Sequence, residues 1–322
     1  MCFSALVKQN LKQLSFQFNA RIDYNAFEDL FRLRAEGEPL TISRALEFNF
    51  THDPKTPEEK RIAKLIKAWR KSADAKDQAE IEKQSTRLEG AIEKLKTKET
   101  KKALEDKRIS TEKIEKLTKR IERRNSDELG SSDGRIWPFW YAPMVYSVGG
   151  ETVIAPFRYH LRPANKDESF DQERDGCYNA REDSLETVSW WKAVFFKKHA
   201  LMVVLRFYEN VQESAFHKLK LRVAEKPRNL VVSFDPGKDR EMLVPMIYDC
   251  WKKKGCVPVN GAAAITFEPT PEVLAAGHDR TIGRLKSANV EHYLCPESVS
   301  KQELWALLRD HDIYHFKAEE AA

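Results

Sequence analysis

One segment constrains the fold of this chain more than any other, because its composition departs sharply from its surroundings. From about residue 55 to residue 124 the chain is dominated by Lys, Glu, Ala and Arg, and after Pro57 this stretch contains no proline. Apolar residues recur in it at helical spacing: Ile62, Leu65, Ile66, Trp69, Ile81, Leu88, Ile92, Leu95, Ile114, Leu117 and Ile121. The pattern predicts two or three long helices forming a hairpin with charged outer faces, with turns near residues 72–76 and 97–110.

The same segment carries most of the positive charge of the chain. It holds 23 Lys and Arg against 14 Asp and Glu, whereas the 322 residues together have a net charge of +5. Lysine-rich helices attract phosphate without reading sequence, so the segment is either a solvated structural arm or an arm that binds DNA or a partner. We therefore predict a helical insertion at 55–124 within a domain made of residues 1–54 and 125–322.

Composition excludes several classes of protein. Hydrophobic residues make up 41% of the chain, which is enough for a core, yet no apolar run approaches the roughly 18–20 residues of a membrane span. Lys8 and Lys12 interrupt any secretory signal pattern. The cysteines are odd in number and form no CxxC pair: Cys2, Cys177, Cys250, Cys256 and Cys295. We expect reduced thiols in a soluble, cytoplasmic protein that needs no metal or other cofactor.

The remainder of the chain predicts an α+β fold with a strand-rich core. A helix is expected at residues 24–36, where aromatic and apolar residues are spaced at three and four. After a polar linker at 125–134, Gly149–Gly150 separates two apolar runs and predicts a β-hairpin. Later strands are expected at 201–209, 229–234, 243–248 and 262–267, followed by a short helix that begins after Thr270 and stops at Gly277.

The start of the chain carries one possible nucleophile. Removal of Met1 would leave Cys2 with a free amine and a thiol on adjacent carbons. Their ordinary pKa values, about 8 and 8.5, leave part of each group nucleophilic near neutral pH. Such an aminothiol can condense with an aldehyde to an imine, which the thiolate then closes into a thiazolidine ring. A Met-Cys start alone is also common by chance.

Three further motifs supply polar side chains, each with a plainer alternative. Asn179 and Arg181 offer amide and guanidinium donors, or they form a surface turn. Glu209 ends an apolar strand face formed by Leu201, Val203, Leu205 and Phe207, where burial would raise its pKa, or it reaches water. His278 follows a predicted helix end, whose dipole favours an imidazolium, or it is a helix cap.

Taken in order, these pieces resemble the SOS response-associated peptidase (SRAP) family of abasic-site crosslinking proteins. The resemblance rests on Met-Cys, "PFRYHLRP", "YNAREDSLE", "FYE" and "HDR", and it covers residues 1–50 and 135–290. It implies an SRAP-like, barrel-like antiparallel core with flanking helices, and single-stranded DNA containing abasic sites as the partner. Family members also remove their own N-terminal residue and can cleave DNA at abasic sites through the Schiff base.

The resemblance assigns chemical roles to four residues of the predicted site and a DNA contact to a fifth. It implies that Cys2 is the crosslinking nucleophile and that Asn179 orients its amine and the reacting sugar. Glu209 would move protons during opening of the deoxyribose and formation of the imine, and His278 would act as a second acid–base group. Arg181 would contact DNA phosphate beside the lesion.

The sequence departs from the family pattern at three places. Phe3-Ser4 replaces a usual Gly-Arg, Asn210 replaces a Trp that often follows the glutamate, and Thr281-Ile282 replaces a usual Met-Pro. The first two departures leave the DNA-structure preference open, although none changes the four chemical residues.

Single-strand binding also needs basic and aromatic side chains. Arg158 and Arg162 are the predicted phosphate contacts, whereas core packing is the expected role of most aromatic residues in 137–141. Two other functions stay open: a different hydrolase with an N-terminal cysteine nucleophile, such as an amidotransferase, and a non-catalytic protein that binds through 55–124.

Overall fold

The computed structural model describes residues 3–219, 226–238 and 240–321. Two compact units are present: one comprises Met1–Phe27, Leu40–Asn49 and Ser131–Ala322, and the other comprises Glu28–Pro39 and Phe50–Gly130. We call them the sheet unit and the helical unit. In the described ranges, no helix is both long and apolar enough to cross a membrane.

Runs of helices and runs of strands follow one another along the chain, as expected for an α+β protein. The helices are α1 (Leu11–Phe18), α2 (Tyr24–Ala35), α3 (Arg44–Thr51), α4 (Pro57–Thr97), α5 (Lys101–Asn125), α6 (Phe170–Glu173), α7 (Ser189–Phe195), α8 (Glu213–Phe216), α9 (Pro271–Ala275), α10 (Val290–Leu294) and α11 (Lys301–Arg309). The strands are β1 (Ser4–Val7), β2 (Arg21–Ile22), β3 (Arg135–Ile136), β4 (Tyr141–Val148), β5 (Glu151–Tyr159), β6 (Asn179–Arg181), β7 (His199–Gln212), β8 (Asn229–Asp235), β9 (Met242–Trp251), β10 (Val259–Phe267), β11 (Thr281–Ile282) and β12 (Lys317–Glu320). The predicted helix at 24–36 and the predicted later strands are confirmed.

The twelve strands found in the described residues form one sheet whose main path runs β11-β10-β5-β4-β7-β1-β3. Most pairs are antiparallel, but β10 pairs in parallel with β5 and β6, and β2 pairs in parallel with β5. Several strands branch off the main path, so the sheet is not a clean barrel. The predicted α+β class with a strand-rich, mostly antiparallel core is confirmed, but the core is this branched sheet and not a closed barrel.

The β4–β5 hairpin forms where the glycine pair predicted it. Val148 pairs with Glu151, and the two residues between them, Gly149 and Gly150, have φ of 60° and 79°. A two-residue turn with both φ values positive matches the right-handed twist of the flanking strands, and glycine adopts it without a steric penalty. The hairpin prediction is confirmed.

Strand β7 carries an irregularity that changes which side chains face the core. Opposite β1, Leu6 pairs with Arg206 and Val7 pairs with Val204, so Leu205 is an extra residue. Before this bulge, Met202 and Val204 lie in the hydrophobic core of the sheet unit. After it, Phe207 lies there instead. The prediction that Leu201, Val203, Leu205, Phe207 and Glu209 share one face is therefore wrong, because a one-residue bulge exchanges the two faces of a strand.

The helical unit is built on α4 and α5, which pair antiparallel as the predicted hairpin. Gln84 on α4 faces Ser110 on α5, with 3.3 Å between Oε1 and Oγ. Farther from the turn that joins the two helices, Asp77 on α4 accepts hydrogen bonds from Arg120 and Arg124 on α5. Because these pairs between the helices are polar, hydrogen bonds and ion pairs help to fix the alignment of α4 and α5. Buried apolar residues such as Ala91, Ala103 and Leu117 also contribute.

The turn predicted near residues 72–76 is wrong, because α4 runs unbroken from Pro57 to Thr97. The stretch of residues 72–76 contains neither glycine nor proline, and its alanines favour helix. Asp74 within it accepts hydrogen bonds from Arg124 and from Asn125, which lies 2.8 Å away. The chain does turn between α4 and α5, inside the second predicted turn region.

Candidate active site

Glu209 lies near the end of β7 and is fully buried. Its backbone pairs with Val232 of β8, which fixes its position in the sheet. Burial penalises the charged carboxylate and raises the pKa of Glu209 to about 8. The raised pKa expected from the sequence is confirmed, and at neutral pH the side chain is mainly a carboxylic acid that can donate a proton.

His278 faces Glu209 from the loop after α9. Its Nε2 lies 3.5 Å from Glu209 Oε2, and its Nδ1 lies 2.9 Å from the carbonyl oxygen of Arg280. A carbonyl can only accept, so Nδ1 carries the hydrogen and Nε2 presents its lone pair towards Glu209. In this tautomer Nδ1 has no lone pair to accept the Arg280 N–H, which lies 3.3 Å away.

Burial lowers the pKa of His278 below its ordinary value, so the imidazole is neutral at pH 7. The imidazolium expected at this helix end is therefore wrong, because α9 has a single turn and the cost of burying a charge outweighs a small dipole. Gly277 turns the chain at φ +94°, where a Cβ would lie 2.7 Å from the Cβ of Ala215. The tight turn holds His278 against the sheet.

Asn179 begins β6 and is almost fully buried. Its backbone pairs in parallel with Ala264 of β10, and its Oδ1 accepts a hydrogen bond of 3.2 Å from the hydroxyl of Tyr159. Because the hydroxyl donates to the amide oxygen, this bond fixes which end of the Asn179 amide faces Tyr159. Tyr159 is fully buried at the end of β5 and therefore acts as a rigid support.

Arg181, two residues along β6, is joined to the His278 loop through Asp183. Its Nε and Nη2 lie 3.1 Å and 2.6 Å from the two carboxylate oxygens of Asp183. Arg280 lies 3.7 Å from the same carboxylate and also bonds to Glu268. Two arginines thus converge on one acid beside His278, and the Arg181 side chain remains nearly half exposed.

Arg158 and Arg162 belong to a different cluster. Both are 7% exposed, and both donate to Asp171 of α6: Arg158 Nη1 lies 2.6 Å from Oδ2, and Arg162 Nε lies 3.0 Å from Oδ1. The two guanidinium groups lower the pKa of Asp171 to about 2, against the opposing effect of burial. Contact of either arginine with DNA phosphate stays a prediction.

The Asp171 cluster has a structural consequence for the site. The chain between Arg162 and Asn179 has little regular structure, and it is tied to the sheet by Asp171 and by Trp251, whose Nε1 lies 2.6 Å from the carbonyl of Lys166. Because this connection leads directly into β6, the cluster anchors the segment that delivers Asn179 and Arg181.

Two cysteines bear on the predicted nucleophile. Cys2 lies outside the described residues, so its role stays a prediction. Cys177 lies two residues before Asn179, and burial raises the pKa of its thiol to about 12. A thiol with that pKa holds almost no thiolate at neutral pH, which makes Cys177 a poor nucleophile.

Sequence reasoning missed three residues that organise the site: Tyr159, Asp171 and Asp183. Asp183 had a local signal, because an acid two residues after Arg181 can meet it across a tight turn. Tyr159 and Asp171 had none, since their partners lie 20, 13 and 9 residues away in the chain. Only the folded chain brings Tyr159 to Asn179 and brings Asp171 to its two arginines.

Comparison with known proteins gives a family match and several similar structures. The model of the SOS response associated peptidase (SRAP) family matches residues 100–320. A protein of Bacteroides thetaiotaomicron is 20% identical with a TM-score of 0.45, over 54% of this chain and 71% of that one. A Bordetella bronchiseptica protein is 13% identical with a TM-score of 0.46, over 63% and 95%. A phage-related protein of the same organism is 15% identical with a TM-score of 0.44, over 62% and 85%. No curated protein matches the chain.

Proposed function

The chain belongs to the SOS response associated peptidase family, and we propose that it crosslinks Cys2 covalently to abasic sites in single-stranded DNA. Membership of the family supports a function associated with the SOS response to DNA damage. The observation that carries the finer proposal is the buried acid–base pair, in which a carboxyl group of pKa about 8 lies 3.5 Å from a neutral imidazole.

The proposed reaction begins with exposure of the nucleophile. Hydrolysis of the Met1–Cys2 peptide bond by the protein itself frees the Cys2 amine. In its open form, the sugar of an abasic site presents an aldehyde, and attack by the amine gives a carbinolamine. Loss of water leaves an imine, and addition of the Cys2 sulfur to the imine carbon closes the thiazolidine ring, with one proton returning to nitrogen.

Glu209 and His278 supply the proton transfers that these steps require. Protonated Glu209 donates to the oxygen that leaves as water, and neutral His278 accepts a proton from the attacking group. Since each group has its pKa moved towards the form that its role needs, both are available near neutral pH.

Asn179 and Arg181 position the reactants in this proposal. The Asn179 amide, oriented by Tyr159, would hydrogen-bond to the Cys2 amine and the sugar, and Arg181 would bind a phosphate beside the lesion. Phe3, the residue bonded to Cys2, donates its N–H to the carbonyl of Tyr208 at 2.9 Å, directly before Glu209 in β7. This anchor supports a nucleophile that acts next to Glu209.

We further propose that the residues 55–124 are an insertion into a catalytic domain formed by 1–54 and 125–322. The crosslinking chemistry then belongs to the sheet unit, since Glu209, His278, Asn179 and Arg181 are all part of it. The same proposal covers self-processing and cleavage of DNA at abasic sites through the imine.

The first prediction tests the crosslink directly. Processed protein incubated with single-stranded DNA carrying a uracil-derived abasic site should give a heat-stable adduct on a denaturing gel, and intact mass should report loss of Met1 together with adduct formation. Cys2→Ala should give no adduct, because the aminothiol is gone. Cys256→Ala, which removes a half-buried thiol, is the control and should react like the wild type.

The proposal fails if the processed wild type and the abasic DNA migrate separately, or if Cys2→Ala yields the same adduct. A mature protein that retains Met1 would also contradict it, since the amine of Cys2 would then be blocked.

A further inference from the structure

The loop between β3 and β4 contains a backbone conformation that its residue does not favour. The N–H of Trp140 donates to the carbonyl of Trp137 at 3.1 Å, with Pro138 and Phe139 between them, and Phe139 has φ +71°. Proline followed by a residue of positive φ matches a type II turn. Glycine or asparagine normally fills the second of these positions, because a side chain there meets the backbone.

The strain at Phe139 stands out among the described residues. Apart from glycines, only Asn19, Asp53, Lys218 and Phe139 have positive φ in those ranges. Asparagine and aspartate visit this region readily, whereas a bulky aromatic residue is a clear outlier. Where such a conformation persists, it commonly places a side chain for a purpose that a relaxed backbone would not serve.

The ring of Phe139 is held in place and yet accessible. It stacks on the buried His160 ring, with centroids 4.3 Å apart and planes inclined by 19°, while 36% of the residue remains exposed. Arg158 lies 5.4 Å from the ring centroid. Nearby, the half-buried rings of Trp137 and Trp140 lie 4.8 Å apart. The expected core packing is confirmed for the buried Tyr141 and for Trp140, which packs half-buried against the core, and it is wrong for the exposed Phe139.

Two backbone hydrogen bonds connect this turn to the candidate active site. The N–H of Phe139 donates to the carbonyl of Tyr159 at 2.9 Å, and the N–H of Tyr159 donates to the carbonyl of Trp140 at 2.7 Å. The Tyr159 hydroxyl bonds in turn to Asn179. The exposed ring is thus fixed to the same residue that orients the predicted contact to the sugar.

We infer that Phe139 is a binding residue on which an unpaired nucleobase of the DNA strand stacks. The inference rests on the proposed function, which brings a single strand to this site. A flat, rigid aromatic ring backed by His160 fits the face of any base, so the contact would be independent of sequence. Arg158 lies beside the same ring but is paired with Asp171, so the proposed contact depends on the exposed face of the ring.

The second prediction uses the strain itself to separate binding from packing. Phe139→Gly removes the ring and puts the preferred residue at positive φ, so its melting temperature should equal or exceed that of the wild type. Its affinity for an intact oligothymidylate strand, measured by fluorescence anisotropy, should fall roughly tenfold, the loss of one stacked base. Phe139→Trp should retain wild-type affinity, and Phe139→Leu should bind as weakly as the glycine variant.

The controls give each outcome a meaning. Phe16→Leu alters the 92% exposed ring of α1 and should leave affinity unchanged. The inference is overturned if Phe139→Gly melts at a lower temperature, which would assign the ring to packing, or if Phe139→Leu binds like the wild type. Failure of the proposed function is seen separately, since the wild-type protein would then form no adduct with abasic DNA.

Discussion

Glu209 and Asp171 are both withdrawn from water in the sheet unit, yet their pKa values move in opposite directions. Burial raises that of Glu209 to about 8, whereas two arginines lower that of Asp171 to about 2. Glu209 faces a neutral imidazole at 3.5 Å, and Asp171 accepts hydrogen bonds from Arg158 and Arg162. Burial alone therefore does not decide the charge of a carboxyl group.

Glu209 has the properties of an acid–base group, whereas Asp171 has those of a structural ion-pair partner. A carboxyl group that is protonated near neutral pH can give and take a proton, while one locked as a carboxylate between two guanidinium groups cannot. The Asp171 cluster anchors the loop that leads into Asn179 and Arg181, whereas Glu209 lies on β7. Replacing Asp171 should therefore lower the unfolding free energy, whereas replacing Glu209 should not.

The largest expected effect concerns the scaffold. Asp171→Asn leaves two buried arginines without their carboxylate and should lower the unfolding free energy by about 3 kcal/mol in urea denaturation at pH 7. Because the folded-state pKa of Asp171 is lowered to about 2 from 3.8, its contribution is complete above pH 3.8 and disappears as the pH falls towards 2.

A control lies in the same loop. Asp167, whose side chain is 82% exposed, lies 3.5 Å from Lys253, and Asp167→Asn should leave the unfolding free energy nearly unchanged. Equal stability of wild type and Asp171→Asn would break the comparison, because the buried cluster would then contribute nothing to the fold.

The next effect has the opposite sign. Between pH 4.5 and about 8 the unfolded chain ionises Glu209 while the folded chain keeps it protonated, so the wild type loses stability as the pH rises through that range. Glu209→Gln cannot ionise and should be more stable at pH 7 by about 3 kcal/mol, a change as large as that at Asp171 but of opposite sign, with the gain vanishing below pH 4.5.

Denaturation at pH 7 and pH 4 would measure this difference, with exposed Glu297→Gln as the control. A Glu209→Gln protein that is less stable than the wild type at pH 7 would show that the ionised carboxylate contributes favourable contacts. The contrast with Asp171 would then be lost.

The smallest effect is expected on the surface of the helical unit. Glu112 and Arg108 are paired on α5 at 2.9 Å, and both side chains are more than half exposed. Solvent and salt screen such a pair, so Glu112→Gln should leave the unfolding free energy unchanged within error. A loss as large as that of Asp171→Asn would mean that pairing, regardless of burial, governs the contribution of an ion pair.

Local signals predicted much of the fold. The β4–β5 hairpin followed from Gly149–Gly150, and the helical hairpin followed from the spacing of apolar residues. The break near 72–76 was wrong because Ser and Asp tolerate a helix when Arg124 lies opposite Asp74. The strand face of β7 was wrong because a bulge at Leu205 leaves no signature in an apolar run.

Local signals also predicted part of the candidate site. The burial of Glu209 and the direction of its pKa shift were predicted from its place at the end of an apolar strand, whereas its catalytic role stays a prediction. The charge of His278 depended on its burial, which the sequence did not show. Phe139 offered only Pro138 as a turn signal, and its positive φ could not be foreseen, since such a turn normally carries glycine.

The neutrality of the Glu209–His278 pair has an electrostatic consequence for any polyanion that approaches it. An ionised Glu209 would repel a phosphate backbone, and the repulsion would be strong in a region of low dielectric constant. A protonated carboxyl group and a neutral imidazole together present no formal charge there. The burial that keeps Glu209 protonated thus also keeps this pair free of the negative charge that would repel such a ligand.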